Sequence, residues 1–170
     1  MKVLIFGIPK SGTSSLYKFL IDSFPKNYIA KYEPFKRTTE VEFGNDCIVK
    51  TVFSEDHDPI LLRDGETIIE HSFRIIGEFD KVIYLKRKDL AGVKKSLSAD
   101  SRVDEWNDLF DLISAGKRVY YYEELFTEDP SDHIYEICEY LEVDFNLRNF
   151  NNHIHVKNKY VKQKNSKTLI

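Results

Sequence analysis

The run Val3-Leu4-Ile5-Phe6-Gly7-Ile8-Pro9-Lys10-Ser11-Gly12-Thr13-Ser14-Ser15-Leu16 restricts the fold more than any other stretch of the chain. Its apolar start reads as a buried strand, its glycine-bracketed middle as a turn, and its hydroxyl-rich end as the first turn of a helix. A strand passing through such a turn straight into a helix opens an α/β unit. The unpaired N–H groups of the helix's first turn carry the positive end of its dipole, so the turn is suited to hold an anion. Gly7 and Gly12 have the spacing of a nucleotide-triphosphate loop, yet Thr13 stands where that loop carries its lysine. The lysine of this turn is Lys10. Short turns of this composition also serve as plain strand-to-helix connections, and the loop alone leaves both readings open.

Beyond the loop, strands and helices alternate. The pattern predicts strands at 2–7, 28–32, 47–53, 81–86 and 118–122, and helices at 13–24, 89–100, 104–115 and 131–142, with a mixed region up to residue 79. Such alternation implies a mostly parallel sheet covered by helices on both faces, with ligands at the carboxyl ends of the strands. In the last helix Ile134, Ile137, Cys138 and Leu141 repeat at three- and four-residue steps, which makes it a core-packing element. A chain of 170 residues with 42% hydrophobic side chains can bury one sizeable core, so a single domain over 1–170 is expected. The segment from about 151 differs in kind, as a basic tail. It reads either as a flexible solvated end or as a basic flap over a phosphate.

A net charge of −3 argues against a general nucleic-acid binder. Cys47 and Cys138 lack metal-like spacing and read as reduced core thiols. No apolar run reaches the roughly 18 residues of a membrane span, and the first residues lack a signal-peptide pattern, so a cytoplasmic protein is expected.

Several segments together resemble a known family. Pro9-Lys10-Ser11-Gly12-Thr13 is similar to the 5′-phosphosulfate loop of sulfotransferases that use 3′-phosphoadenosine 5′-phosphosulfate (PAPS). Lys81–Asp89 is an apolar strand ending in Lys86-Arg87-Lys88, and Arg87 with Ser96 falls where that family holds the 3′-phosphate. Arginine's planar fork of donors suits phosphate oxygens in any case. Tyr122-Glu123-Glu124-Leu125, Asp129-Pro130 and the helix ending in Tyr140-Leu141 follow in the family's order. The chain also departs from the pattern. It is short, it lacks the proline usual after the arginine's neighbour, and it lacks the Gly-rich C-terminal segment that ends in tryptophan. Lys50-Thr51-Val52 loses the histidine of the Lys-Thr-His found in small-molecule sulfotransferases.

The resemblance implies a three-layer P-loop-type fold and a small bacterial, viral or carbohydrate-sulfotransferase-like member. It implies PAPS as donor, adenosine 3′,5′-bisphosphate as product, and no metal. Lys10 would steady the bridging oxygen of the leaving phosphate, while Ser11, Gly12, Thr13, Ser14 and Ser15 hold the 5′-phosphate. Arg87 and Ser96 would hold the 3′-phosphate. Saccharide-modifying members carry a glutamate in an aromatic-Glu-Pro context, matched by Tyr32-Glu33-Pro34, so Glu33 is the expected base and a saccharide or glycolipid hydroxyl the expected acceptor.

Other readings stand beside these. Glu33 before Pro34 is equally a surface turn residue. Glu55-Asp56-His57-Asp58 could form an acid/base or metal cluster but has the look of a solvated turn, His71 lies in an apolar stretch, and His153 and His155 lack a third ligand. Trp106 reads as packing. At the level of the whole chain, a small metabolite or nucleoside kinase, or a non-catalytic nucleotide-binding module, would share the first loop. The kinase lacks its lysine after Gly12 and a strand ending in a lone magnesium-holding aspartate.

Overall fold

The computed structural model describes residues 1–54, 59–97 and 102–155. Five strands form one sheet in the order β2-β3-β1-β4-β5, every neighbouring pair parallel. They are β1 (Lys2–Gly7), β2 (Ile29–Tyr32), β3 (Cys47–Val52), β4 (Lys81–Lys86) and β5 (Val119–Tyr121). β1 lies in the middle because its run of apolar side chains can be buried on both faces, the composition that parallel sheets demand. Val3 and Ile5 point into one core, Leu4 and Phe6 into the other.

The first core is closed by α1 (Thr13–Ile21), α6 (Asp132–Leu141) and α7 (Leu147–Phe150), which contribute Leu16, Phe19, Leu20, Ile134, Ile137, Leu141 and Phe150. The second is closed by α2 (Ile68–Ile76), α3 (Leu90–Leu97) and α4 (Val103–Ile113), through Ile68, Ile75, Val93, Leu97, Trp106 and Phe110. Phe6 of the sheet stacks on Phe110 with centroids 5.4 Å apart. This is the expected three-layer α/β arrangement. Trp106 is packing, and Cys47 and Cys138 are both buried free thiols, with burial pushing the Cys138 thiol up to about 11.

Three elements differ from the sequence-based expectation. The mixed region contains α2, capped by a box in which the Thr67 hydroxyl accepts from the Glu70 amide and the Glu70 carboxylate accepts from the Thr67 amide. That Thr-x-x-Glu signal is present in the sequence. α1 ends at Ile21 instead of near 24, since Pro25 disfavours helical backbone at Phe24. β5 stops at Tyr121, and Tyr122 begins the short helix α5 (Tyr122–Leu125). β5 also pairs only with Tyr84–Lys86, so the first half of β4 has a strand neighbour on one side alone.

Candidate functional site

The carboxyl ends of all five strands meet at a cleft of about 320 Å³. The β1–α1 loop supplies Pro9, Lys10, Gly12, Thr13 and Ser14; β2 leads to Tyr32 and Glu33, β3 to Lys50 and Val52, β4 to Arg87, and β5 to Tyr122. Since β1 is central, its loop sits between Glu33 and Lys50 on one side and Arg87 on the other. The connections run to opposite sides of β1, and such a switch point is where open parallel sheets bind ligands.

The loop geometry follows from its residues. Pro9 fixes the second position of a turn that is closed by the Ser11 amide donating to the Ile8 carbonyl at 3.3 Å. The third position is Lys10 with φ 63°, where glycine is the ordinary occupant. A lysine held in left-handed backbone carries strain of about 1 kcal/mol or more, and strain of this kind concentrates at functional sites. Lys10 is exposed and lines the cleft. Gly12 then takes φ 88° as the N-cap of α1, which has no side-chain cap. Among the described residues the amides of Gly12, Thr13 and Ser14 donate to no protein group, whereas the Ser15 and Leu16 amides donate to the Gly12 carbonyl. Three orphan donors thus stand at the positive end of a helix dipole, on residues that line the cleft.

The hydroxyls divide. Thr13 and Ser14 line the cleft, and the Ser14 and Tyr32 hydroxyls lie 2.8 Å apart across it. The Ser11 hydroxyl is turned inward, donating to the Ile8 carbonyl at 2.7 Å, and Ser15 is buried away from the lining. The Ser11 hydroxyl therefore holds the loop's shape, and Ser15 stands outside the cleft lining.

Glu33 is not a surface turn residue. It is 4% exposed, in left-handed backbone at φ 49°, at the head of a short 3₁₀ turn over Pro34–Lys36. Its carboxylate accepts a hydrogen bond from the Lys50 ammonium and one from the Val52 amide at 3.3 Å, and the Lys36 ammonium stands 4.0 Å away. Lys50 is itself 3% exposed and lies 4.6 Å from the centre of the Tyr32 ring. A buried carboxylate is thus matched by a buried cation, the condition under which burying either is tolerable. Lys50 is a site residue that sequence reasoning used only as part of a broken Lys-Thr-His match; its signal was a charged side chain inside a strand otherwise free of charge.

Arg87 reaches the cleft from the turn after β4, its guanidinium 4.6 Å from the centre of the Tyr122 ring. Its Nε is buried without a hydrogen-bond acceptor, the nearest carboxylate being Glu123 at 3.7 Å. Glu123 meanwhile accepts from the Lys88 and Asp89 amides at 3.0 and 3.1 Å, fixing the turn that carries Arg87. Ser96 is brought to neither group: it is exposed on α3 and outside the cleft lining.

Of the competing candidates, His71 is fully buried beneath Phe35, bonded at Nδ1 to Glu66 at 3.2 Å, and away from the cleft. Glu55, Asp56, His57 and Asp58 lie outside the described residues, as do the lysines of the tail from 156 on. His153 pairs with Asp22 at 3.8 Å. Among the described residues no three His, Cys, Asp or Glu side chains are grouped to hold a metal, and no helix is long and apolar enough to cross a membrane. Comparisons with protein-family models, with curated proteins and with solved structures return no match. The chemistry open to the cleft is therefore read from its own groups: an amide cradle and two flanking cations for anions, and one buried carboxylate for a proton.

Proposed function

We propose that this protein is a sulfotransferase that moves a sulfuryl group from PAPS to an acceptor hydroxyl, a saccharide or glycolipid being the best-supported class. The observation that carries the reading is the set of unpaired amides at Gly12, Thr13 and Ser14 in one cleft with Lys10, Arg87 and the buried Glu33. A doubly anionic nucleotide and a hydroxyl acceptor need these three kinds of group together.

In this reading the loop amides and the Thr13 and Ser14 hydroxyls bind the 5′-phosphate, and Arg87 binds the 3′-phosphate, supported by the Tyr122 ring that its guanidinium lies over. Ser96 joins Arg87 only where the ligand extends beyond the cleft along α3. The acceptor oxygen attacks sulfur as the bond from sulfur to the 5′-phosphate oxygen breaks. Lys10 offsets the charge that builds on the departing oxygen, and Glu33 accepts the acceptor's proton. Lys50 keeps the Glu33 carboxylate in place before the acceptor arrives. Tyr32, half exposed at the mouth, offers a ring face on which a sugar can lie.

Calorimetric titration tests the donor site. Adenosine 3′,5′-bisphosphate should bind at least about tenfold more tightly than adenosine 5′-monophosphate, and Arg87→Ala should erase most of that difference, as a lost charge-assisted contact costs about 1.5–3 kcal/mol. Transfer from PAPS should persist in excess EDTA and fail in Lys10→Ala. Equal affinities of the two nucleotides would remove the PAPS assignment. Turnover that requires ATP with magnesium would make the protein a kinase, and tight nucleotide binding with no transfer to any acceptor would make it a binding module.

A further inference from the structure

A second cavity, of about 480 Å³, lies at the opposite ends of the strands and shares no lining residue with the cleft. It exists because the sheet is incomplete there. Val82 and Ile83 pair with Leu4 and Ile5 of β1, but β5 begins too late to cover their other side. Phe79, Val82, Tyr84, Tyr120 and Tyr140 wall the gap, so three phenol rings surround an apolar floor.

Tyr84 carries the polar part of the argument. Its ring packs edge-on against Phe6 and Phe110 and the residue is 4% exposed, yet its hydroxyl has no hydrogen-bond partner among the described residues. The residue lines the cavity, so this free hydroxyl is a donor open to whatever enters there. Burial, and then the neighbouring Tyr140 hydroxyl, push the Tyr84 phenol above its ordinary value, so at neutral pH it is an O–H donor. The rim is cationic. Lys117 is exposed with no ion pair among the described residues, and Arg118 lies 5.1 Å from the Tyr120 ring while sharing Glu136. The one carboxylate in the lining, Asp80, accepts the Lys2 amide at 2.7 Å.

From this donor, the aromatic walls and the cationic rim, we propose that the cavity is a second binding site, specific for a small aromatic anion. The ring system lies among Tyr84, Tyr120 and Tyr140, and its acidic group accepts from the Tyr84 hydroxyl and faces Lys117. The site is independent of the reading given to the cleft.

Fluorescence titration with 1-anilinonaphthalene-8-sulfonate tests it, beside N-phenyl-1-naphthylamine, which has the same rings without the sulfonate. One sulfonate probe should bind per chain, at least about tenfold more tightly than the neutral amine. Saturating adenosine 3′,5′-bisphosphate should not displace it. Lys117→Glu, a surface change, should weaken the sulfonate probe about tenfold and leave the neutral amine unchanged, and Tyr84→Phe should weaken it severalfold with the fold intact by circular dichroism. Displacement by the nucleotide would overturn the proposal, as would equal affinity for the two probes, absence of binding at about 1 mM, or indifference to both substitutions.

Discussion

At the scale of single residues, Glu33 and Lys50 are bound to each other energetically as well as chemically. Each is almost wholly buried, and each satisfies a charge that the other would leave stranded. Removing one member of such a pair typically costs about 3–5 kcal/mol, whereas replacing both by neutral groups of similar size is often close to neutral. Glu33→Gln should therefore lose turnover by about 10²–10⁴-fold and also lose stability by a few kcal/mol, because the Lys50 ammonium is left buried. The double variant Glu33→Gln/Lys50→Met separates the two losses: urea denaturation should show stability returning towards the parent, while transfer stays abolished. If turnover returned with stability, Glu33 would be a structural partner and the proton acceptor would lie elsewhere. His71→Asn, far from the cleft, should leave transfer close to normal in the same assay.

At the scale of elements, the β1–α1 connection and the start of α5 form one unit. A Cβ on Gly12 would sit 2.3 Å from Cε2 of Phe126 and 3.0 Å from Cδ2 of Tyr122, and these two rings stack with centroids 4.4 Å apart. Arg87 rests on the same Tyr122. Glycine is thus required at position 12 twice over, once by its left-handed backbone and once by the aromatic pair that supports the guanidinium. Gly12→Ala should cost about 2–4 kcal/mol in thermal unfolding and weaken adenosine 3′,5′-bisphosphate by more than it weakens adenosine 5′-monophosphate, since both anion positions are disturbed. Equal weakening of the two nucleotides would show that the stack does not hold Arg87. Tyr122 takes this position because β5 ends one residue before it and the chain turns into α5.

At the scale of the whole molecule, the stretch leading into α2 from Arg63 is tied down by charge. Glu66 accepts from Arg74 at 2.7 Å, from the Arg63 amide at 3.0 Å and from His71, and Arg63 reaches back to Glu40 at 2.5 Å. The Arg74 guanidinium, with help from the Arg63 amide and His71, holds the Glu66 carboxyl at about 2, below its ordinary 4.5. Burial lowers His71 from its ordinary 6.5 in spite of Glu66. At both groups the folded protein binds fewer protons than the unfolded chain, so acid favours unfolding. Stability should be fully present at neutral pH, begin to fall below about pH 6.5 through His71, and fall more steeply between about pH 4.5 and 2 through Glu66. Glu66→Gln should cost roughly 2 kcal/mol at pH 7 and flatten the acid limb of a stability-versus-pH curve. An unchanged acid limb in that variant would show that Glu66 is not the group being titrated. His71 packs on Phe35, so this network also reaches the core beneath the sheet without entering the cleft lining.

The local parts of this protein were legible in its residues. β1, the cation-ended β4 and the turn between Gly7 and Gly12 are each specified by neighbours a few positions apart, through apolar runs and turn chemistry, and the alternation of elements fixed the α/β class. Glu33 was legible as a candidate but not as a buried one. That it is buried depends on Lys50, seventeen positions on, meeting it only because β2 lies beside β3 in the sheet. The outward direction of Ser96, the inward turn of the Ser11 hydroxyl and the Tyr122 support beneath Arg87 likewise follow from strand order and helix rotation, which no local pattern records. Sequence set the elements because their forces act between near neighbours. Only the tertiary structure could decide which charges share a cleft, because a charge is tolerated in the interior only where a distant part of the chain brings its partner.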